Sequence, residues 1–287
     1  MVDDKLIEEI VVALLRRAVT TLPEDVLAAL EASAIIERDP NAKRELGLMI
    51  GNVKEAGSCT IPMCQDTGLP IFFAKMGFNV PGFEEAVYRG VRKATEEIPL
   101  RKNVVHPLTR KNTGDNTGRQ MPYIHYSYGD SDHIELIVMP KGGGTENMSA
   151  LAMLLPSSGV EGVKRFVLDT VVKAGGKPCP PVILGVGIGG TSDECMALAK
   201  KALLRRVGTR NPDPDMAKLE MELMYAINHT GIGPMGLGGD TTALAVHIEY
   251  AACHTASLPV GINFQCYAAR RAIARIYRDG SVEMGGD

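Results

Sequence analysis

The sequence predicts a mixed α/β (α+β) fold: a helical N-terminal layer with a mixed sheet, in a single domain spanning residues 1–287. Three observations predict it. Helical and strand periodicities are mixed throughout the chain. No internal repeat and no obvious linker divides it. Its 287 residues, 45% of them hydrophobic, suffice for one large core or two smaller ones.

The elements follow in order. Residues 5–18 place Leu6, Ile10, Val11, Leu14 and Leu15 at helical spacing, and further helices are expected near 23–37 and over 40–56. A helix over 83–97 follows Pro81-Gly82 and leads into a long polar segment, 99–122. Alternation in IHYSYGD and HIELIVMP predicts a pair of strands joined by a short turn near Gly129-Asp130. Helices are expected near 147–155 and over 159–174, the second capped by Gly175-Gly176. PCPPVILGVGIGGTSDECMALAKKALL reads as a turn, an apolar strand, a glycine loop and a helix, with Thr191 and Glu194 as a capping box. A helix over 214–229, a second glycine-rich loop in GIGPMGLGGDTT, core strands in TALAVHIEYAACH and PVGINFQC, and a short helix over 268–276 complete the chain.

Composition excludes several classes of partner. The formal charge is -3 with both signs scattered, so no basic stripe for nucleic acid is present. No 18-residue apolar run suggests a membrane span. The start, MVDDKLIEEIVVALLRRA, is acidic and amphipathic, unlike a secretory signal, and points to the cytoplasm. Gly185-Val186-Gly187-Ile188-Gly189-Gly190 satisfies the dinucleotide pattern GxGxxG. A dinucleotide fold also needs a second strand ending in Asp or Glu about 20 residues on, and the prolines of RRVGTRNPDPD exclude it. A nucleotide-binding oxidoreductase is therefore disfavoured, although glycines before a helix still offer N–H groups to an anion such as a carboxylate.

Six cysteines stand at 59, 64, 179, 195, 253 and 266, with no CxxC pair, and a disulfide framework is not expected. The ordinary reading of such thiols is as small buried apolar residues. TIPMCQDTGLPIFF does not fit it well, because Cys64-Gln65-Asp66-Thr67 lines up a thiol with three groups able to bind or move protons. Cys64 after Pro62-Met63, Cys179 within Lys177-Pro178-Cys179-Pro180-Pro181, and Cys266 closing the run from Pro259 each lie at a chain reversal or strand end. Three converging thiolates would suit a 4Fe–4S cluster with one iron left open, since four Cys ligands are the norm. Such an iron acts as a Lewis acid. Spacing alone does not establish it and leaves the buried-thiol reading open.

Four motifs in a fixed order carry a resemblance. CQDTG (64–68), KGGG (141–144), CPP (179–181) with IGGTS (188–192), and His254…PVG…Cys266 occur in that order in the class I, iron–sulfur fumarases and the related L-tartrate dehydratase α subunits. Over nearly its whole length the chain resembles an α subunit of that family. The resemblance implies a 4Fe–4S cluster held by Cys64, Cys179 and Cys266, with one iron not ligated by protein. It implies that Asp66 manages the proton of the substrate hydroxyl, that Gln65 hydrogen-bonds the substrate, and that Arg101 grips a carboxylate. Gly143 or Gly144 would bring a backbone N–H to the substrate, and His254 stands at the substrate site. The implied reaction is reversible hydration of fumarate to L-malate, with dehydration of L-tartrate to oxaloacetate as the alternative. An iron–sulfur electron carrier, a reading of another class, is disfavoured because carriers saturate every iron with thiolates and only three cysteines here share matching contexts.

The resemblance further implies a separate β subunit carrying a threonine base and additional Arg and Lys residues, an α2β2 assembly, and an α chain incomplete by itself. Cys59, Cys195 and Cys253 fall outside the ligand positions and read as buried or incidental thiols. Gly189, Gly190 and Thr191 read as structural; Gly238, Gly239 and Asp240 are a weaker candidate for a substrate wall. One departure stands out: single-chain relatives read C-S-A-D-R, where this chain has Cys266-Tyr267-Ala268-Ala269-Arg270.

Overall fold

The structure, a computed structural model, describes residues 2–285. In chain order the elements are α1 (Asp4–Thr20), α2 (Glu24–Ile36), α3 (Pro40–Cys59), β1 (Leu69–Met76), α4 (Phe83–Glu97), β2 (Tyr123–Tyr128), β3 (His133–Lys141) and α5 (Gly143–Glu146). Then follow β4 (Ala150–Leu154), α6 (Gly159–Ala174), β5 (Val182–Ile188), α7 (Ser192–Ala202), α8 (Pro214–Asn228), β6 (Ala243–Tyr250), β7 (Leu258–Gln265), β8 (Ala272–Tyr277) and β9 (Val282–Met284). The fold class is mixed α/β, as expected, and two mixed sheets carry it. They lie in two compact units: one takes the chain up to Pro23, Val53–Gly143 and the chain from Arg270 onward; the other takes Glu24–Asn52 and Gly144–Ala269.

In the first unit the sheet runs β2-β1-β3-β8-β9, with one parallel pair, β1 with β2, and antiparallel neighbours elsewhere. Asp3 caps α1 by accepting from the Leu6 N–H at 2.8 Å. The helical stripe Ile7, Ile10, Val11, Leu14, Leu15 and Ala18 is buried, and with Ala86, Val87, Val91 and Ala94 of α4 it covers Phe72, Leu136, Val138 and Ala274 of the sheet. In the second unit the sheet runs β4-β7-β5-β6, parallel only between β5 and β6. Val163, Val167 and Val171 of α6 and Leu219, Leu223 and Ile227 of α8 join Val182, Leu184 and Val186 of β5 in its core.

Three local expectations change. The strands at 123–128 and 133–141 exist but are not partners: β1 lies between them, bonded to both. β1 is apolar and largely buried, which suits a central strand, whereas Tyr123, Tyr126 and Tyr128 of β2 are exposed and suit an edge. The expected helix near 147–155 contains strand β4, whose ALAML has helix-favouring residues but pairs antiparallel with β7. The expected helix over 268–276 gives way, from Ala272, to strand β8, whose burial alternates with a strand's period of two.

The GxGxxG segment also resolves differently. Gly185 and Gly187 are not in a loop but inside β5, on the face opposite Val182, Leu184 and Val186. A Cβ on Gly187 would lie 2.0 Å from the Cys195 carbonyl oxygen, and one on Gly185 2.1 Å from that of Ala199. Helix α7 therefore rests directly on bare backbone, and packing accounts for this part of the motif. Thr191 occupies the N-cap position of α7 but makes no capping bond; its hydroxyl donates to Asp193 Oδ1 at 2.7 Å and, with backbone N–H groups, holds that carboxyl below its usual range. Among the described residues no helix is long and apolar enough to cross a membrane.

Gly187→Ala forces a methyl into the α7 backbone. It should lower stability by about 1–3 kcal/mol, read as the midpoint of urea unfolding. An unchanged midpoint would show that α7 can lift without loss.

Candidate active site

Strand ends build the site in the first unit. β1 begins at Leu69, opposite Lys141 where β3 finishes, and Val138 of β3 is paired with Ala272 where β8 begins. The register therefore gathers the CQDTG turn, the KGGG segment and Arg270 at one end of the sheet. Gly68 permits the close approach: its φ is +83°, and a Cβ there would lie 2.8 Å from the Lys141 nitrogen.

Asp66 is the centre of this group. Its Oδ1 accepts from the Gly68 N–H at 3.0 Å and from Asn103 Nδ2 at 3.1 Å, and its Oδ2 accepts from the Gly143 N–H at 2.8 Å. Its carbonyl oxygen accepts from Arg270 Nη1 at 2.8 Å. Thr67 does more than turn the chain, because its buried hydroxyl accepts from the Arg101 N–H at 3.0 Å. Cys64 is half-buried, and Gln65 and the Arg101 side chain are exposed. The structure thus brings Cys64, Gln65, Asp66, Arg101 and Gly143 into one neighbourhood.

The Arg101 segment is held from behind by two asparagines. Asn116, 2% exposed, accepts from the Asn103 N–H through Oδ1 at 2.7 Å and donates through Nδ2 to the Arg101 carbonyl at 3.1 Å. Asn112 donates through Nδ2 to the Lys102 carbonyl at 2.7 Å. Each asparagine opens an Asn-Thr-Gly tripeptide, 112–114 and 116–118. That duplication was the available sequence signal for Asn112 and Asn116, which the sequence alone had not singled out; Asn103, in Lys102-Asn103-Val104, carried no such signal.

The second unit holds Cys179, Cys266, Gly144 and His254. Cys179 and Cys266 are half-buried on adjoining segments, the Tyr267 N–H donating to the Cys179 carbonyl at 3.2 Å. A Cβ on Gly144 would lie 3.2 Å from the Lys177 carbonyl, two residues before Cys179. His254 is exposed, and its Nδ1 accepts from the Ala256 N–H at 3.0 Å, so the neutral ring carries its proton on Nε2. The His254 loop is tied to the IGGTS turn by Gly190 N–H to the Ala252 carbonyl at 3.2 Å.

The weaker candidates take structural roles. Asp240 meets Arg38 in a two-pronged ion pair at 2.7 Å, which holds its carboxyl below the usual range, and the buried Glu37 accepts from the Asp240 and Thr241 N–H groups. Cys195 is a buried residue of α7, donates to the Gly187 carbonyl at 3.2 Å, and burial pushes its thiol up to about 11. Cys59 and Cys253 are exposed rather than buried. Among the described residues none of the six cysteines is in a disulfide, and no three His, Cys, Asp or Glu side chains form a ready metal-binding group.

Comparison with known proteins decides the family. The family model described as fumarate hydratase (Fumerase) matches residues 8–275. The chain belongs to the fumarate hydratase family. A protein of Methanocaldococcus jannaschii, provisionally named L(+)-tartrate dehydratase subunit alpha, is 54% identical over 283 residues, covering 96% of this chain and 99% of that protein. The L(+)-tartrate dehydratase subunit alpha of Escherichia coli strain UTI89 is 36% identical over 268 residues, covering 92% of this chain and 88% of its own; that of strain K12 is 35% identical over the same span.

Fumarate hydratase family membership makes the chain one of a family of hydro-lyases. The donor set suits an iron–sulfur group chemically, because Cys64, Cys179 and Cys266 are all half-buried thiols in segments between elements, outside any disulfide among the described residues.

Asn116→Ala would strand the Asn103 N–H and the Arg101 carbonyl, and should cost about 1–3 kcal/mol. Asn112→Ala, with its amide exposed, should cost less. Equal shifts in the urea midpoints would show that the buried amide is not the anchor.

Proposed function

We propose that the chain, over residues 1–287, is the α subunit of a cytoplasmic 4Fe–4S-dependent hydro-lyase that dehydrates L-tartrate to oxaloacetate, completed by a separate β subunit in an α2β2 assembly. The observation that carries this reading is the near full-length match at 54% identity to a relative named for an L(+)-tartrate dehydratase α subunit. The residues alone put fumarate first; the relatives' names favour tartrate, and the family description keeps hydration of fumarate to L-malate as the second reading.

Cys64, Cys179 and Cys266 would hold the cluster. When bound, it supplies an open iron as a Lewis acid for the carboxylate and hydroxyl oxygens of the substrate. The remaining work falls to side chains and backbone. Arg101 offers an exposed planar fork suited to a carboxylate. Gln65 donates and accepts through an exposed amide. Gly143 gives its N–H to Asp66, which leaves that of Gly144 for the substrate. Asp66 manages the hydroxyl proton, and of its three bonds the exposed one to Gly143 can yield most readily. His254, fixed through Nδ1, presents Nε2–H as a donor. The β subunit provides the base and the second set of cationic groups.

The test is anaerobic co-production with the β subunit, followed by turnover of L-tartrate and of fumarate. A higher kcat/KM for L-tartrate is expected, with none for the β-free chain. The opposite ratio would move the function to fumarate hydratase, and a fully loaded enzyme inactive on both acids would sink the reading. Cys64→Ser, Cys179→Ser and Cys266→Ser should each abolish the visible cluster absorption, while Cys59→Ser and Cys253→Ser keep it.

A further inference from the structure

Arg270 opens the last segment of the first unit, two residues before β8, and is 2% exposed. Its Nη1 donates to the Asp66 carbonyl oxygen at 2.8 Å, and its buried Nε meets no acceptor among the described residues. Among the described residues no carboxylate pairs with it: the Asp66 oxygens are taken by Gly68, Asn103 and Gly143. Two other sheltered cations are matched with carboxylates, Arg205 with Glu220 and Lys200 with Glu146, at 2.7 and 2.8 Å. A guanidinium cannot relieve its burial by losing a proton. A neutral carbonyl offsets little of the cost of taking such a charge out of water. An anion at the turn that Arg270 holds would supply the missing interaction.

We propose that Arg270 is a positioning residue that fastens the Cys64–Asp66 turn through the Asp66 carbonyl and keeps an unmatched positive charge there for an anionic ligand. The anion is either the iron-bound thiolate of Cys64 or a carboxylate of the four-carbon acid. The inference deepens the hydro-lyase reading and rests on it. It acts through the turn and through its field, because the guanidinium is itself shut away from solvent.

The test compares the full chain with Arg270→Met, which removes the charge at similar length, and Arg270→Lys, which keeps it. Thermal unfolding is followed without oxygen in a low-salt buffer, then with succinate as a dicarboxylate that cannot react, and separately with iron and sulfide. Without added anion, Arg270→Met should melt at or above wild type, because an unmatched buried charge is gone. Succinate, or iron and sulfide, should raise the wild-type melting temperature. Arg270→Met should lose that rise, with the half-effective ligand concentration moved by roughly tenfold or more, and Arg270→Lys should recover part of it.

Loss of the succinate response alone assigns the carboxylate as the anion; loss of the iron–sulfide response alone assigns the thiolate. An arginine required only by the fold gives the reverse pattern, a lower melting temperature with an undiminished response, and overturns the proposal. A Met variant that does not fold, or a wild type without any anion response, overturns it equally. The hydro-lyase reading is judged separately, by whether the wild type assembles a visible cluster. A loaded wild type whose response matches Arg270→Met ends only the proposal for Arg270. A wild type that responds to succinate through Arg270 but builds no cluster ends the iron–sulfur reading instead.

Discussion

The first unit's site depends on one carboxylate. Asp66 can only accept, and both of its oxygens do so, from a neighbour two residues on, from Asn103 and from Gly143. Bonds to an anionic acceptor are stronger than neutral ones, so this residue ties its own turn to two other segments. Thr67 adds the Arg101 backbone, and Arg270 holds the Asp66 carbonyl. Removing the carboxylate would release three donors at once. The turn carrying Cys64 and Gln65 would then be fixed by the Met63 N–H to the Val19 carbonyl, by Arg270 on the Asp66 carbonyl, by the Thr67 bond to Arg101 and by β1.

The sheet makes such a junction possible. Antiparallel register sets Leu69 of β1 against Lys141 of β3, and Val138 of β3 against Ala272 of β8. Three segments distant in sequence therefore end or begin side by side. The two asparagines of the Asn-Thr-Gly repeats then fix residues 101–103 beside them. Glycine has two separate uses in this chain. Gly68 brings one strand end against another, whereas Gly185 and Gly187 lower a helix onto a sheet. The second use produces a sequence that resembles a nucleotide loop without forming one.

The cysteines divide by the same logic of position. Cys195 belongs to the buried face of helix α7, bonded to a strand carbonyl, with its thiol made hard to ionise by burial. Cys64, Cys179 and Cys266 stand just outside regular elements, half-buried, where a side chain can meet a ligand without disturbing a core. The units that contain them are assembled from interleaved segments, with α3 passing from one to the other. The chain crosses between units four times, at Pro23/Glu24, inside α3, inside the KGGG segment and at Ala269/Arg270, so the sequence shows no single linker between them.

The sequence by itself determined the long helices and the identity of the family motifs. The stripes of α1, α4, α6 and α8 repeat within a few residues, so each carries its own signal. CQDTG and KGGG are likewise contiguous and could be recognised as they stand. Tertiary structure decided the rest. ALAML became a strand because β7 was there to pair with it, and β1 entered between β2 and β3 because it is the strand apolar enough for a central place. The partners of Asp66 lie 37 and 77 residues away, and Arg270 lies 204 residues away. Local periodicity carries no record of which distant N–H a carboxylate will meet; that is set by strand register, which exists only once the sheet has formed.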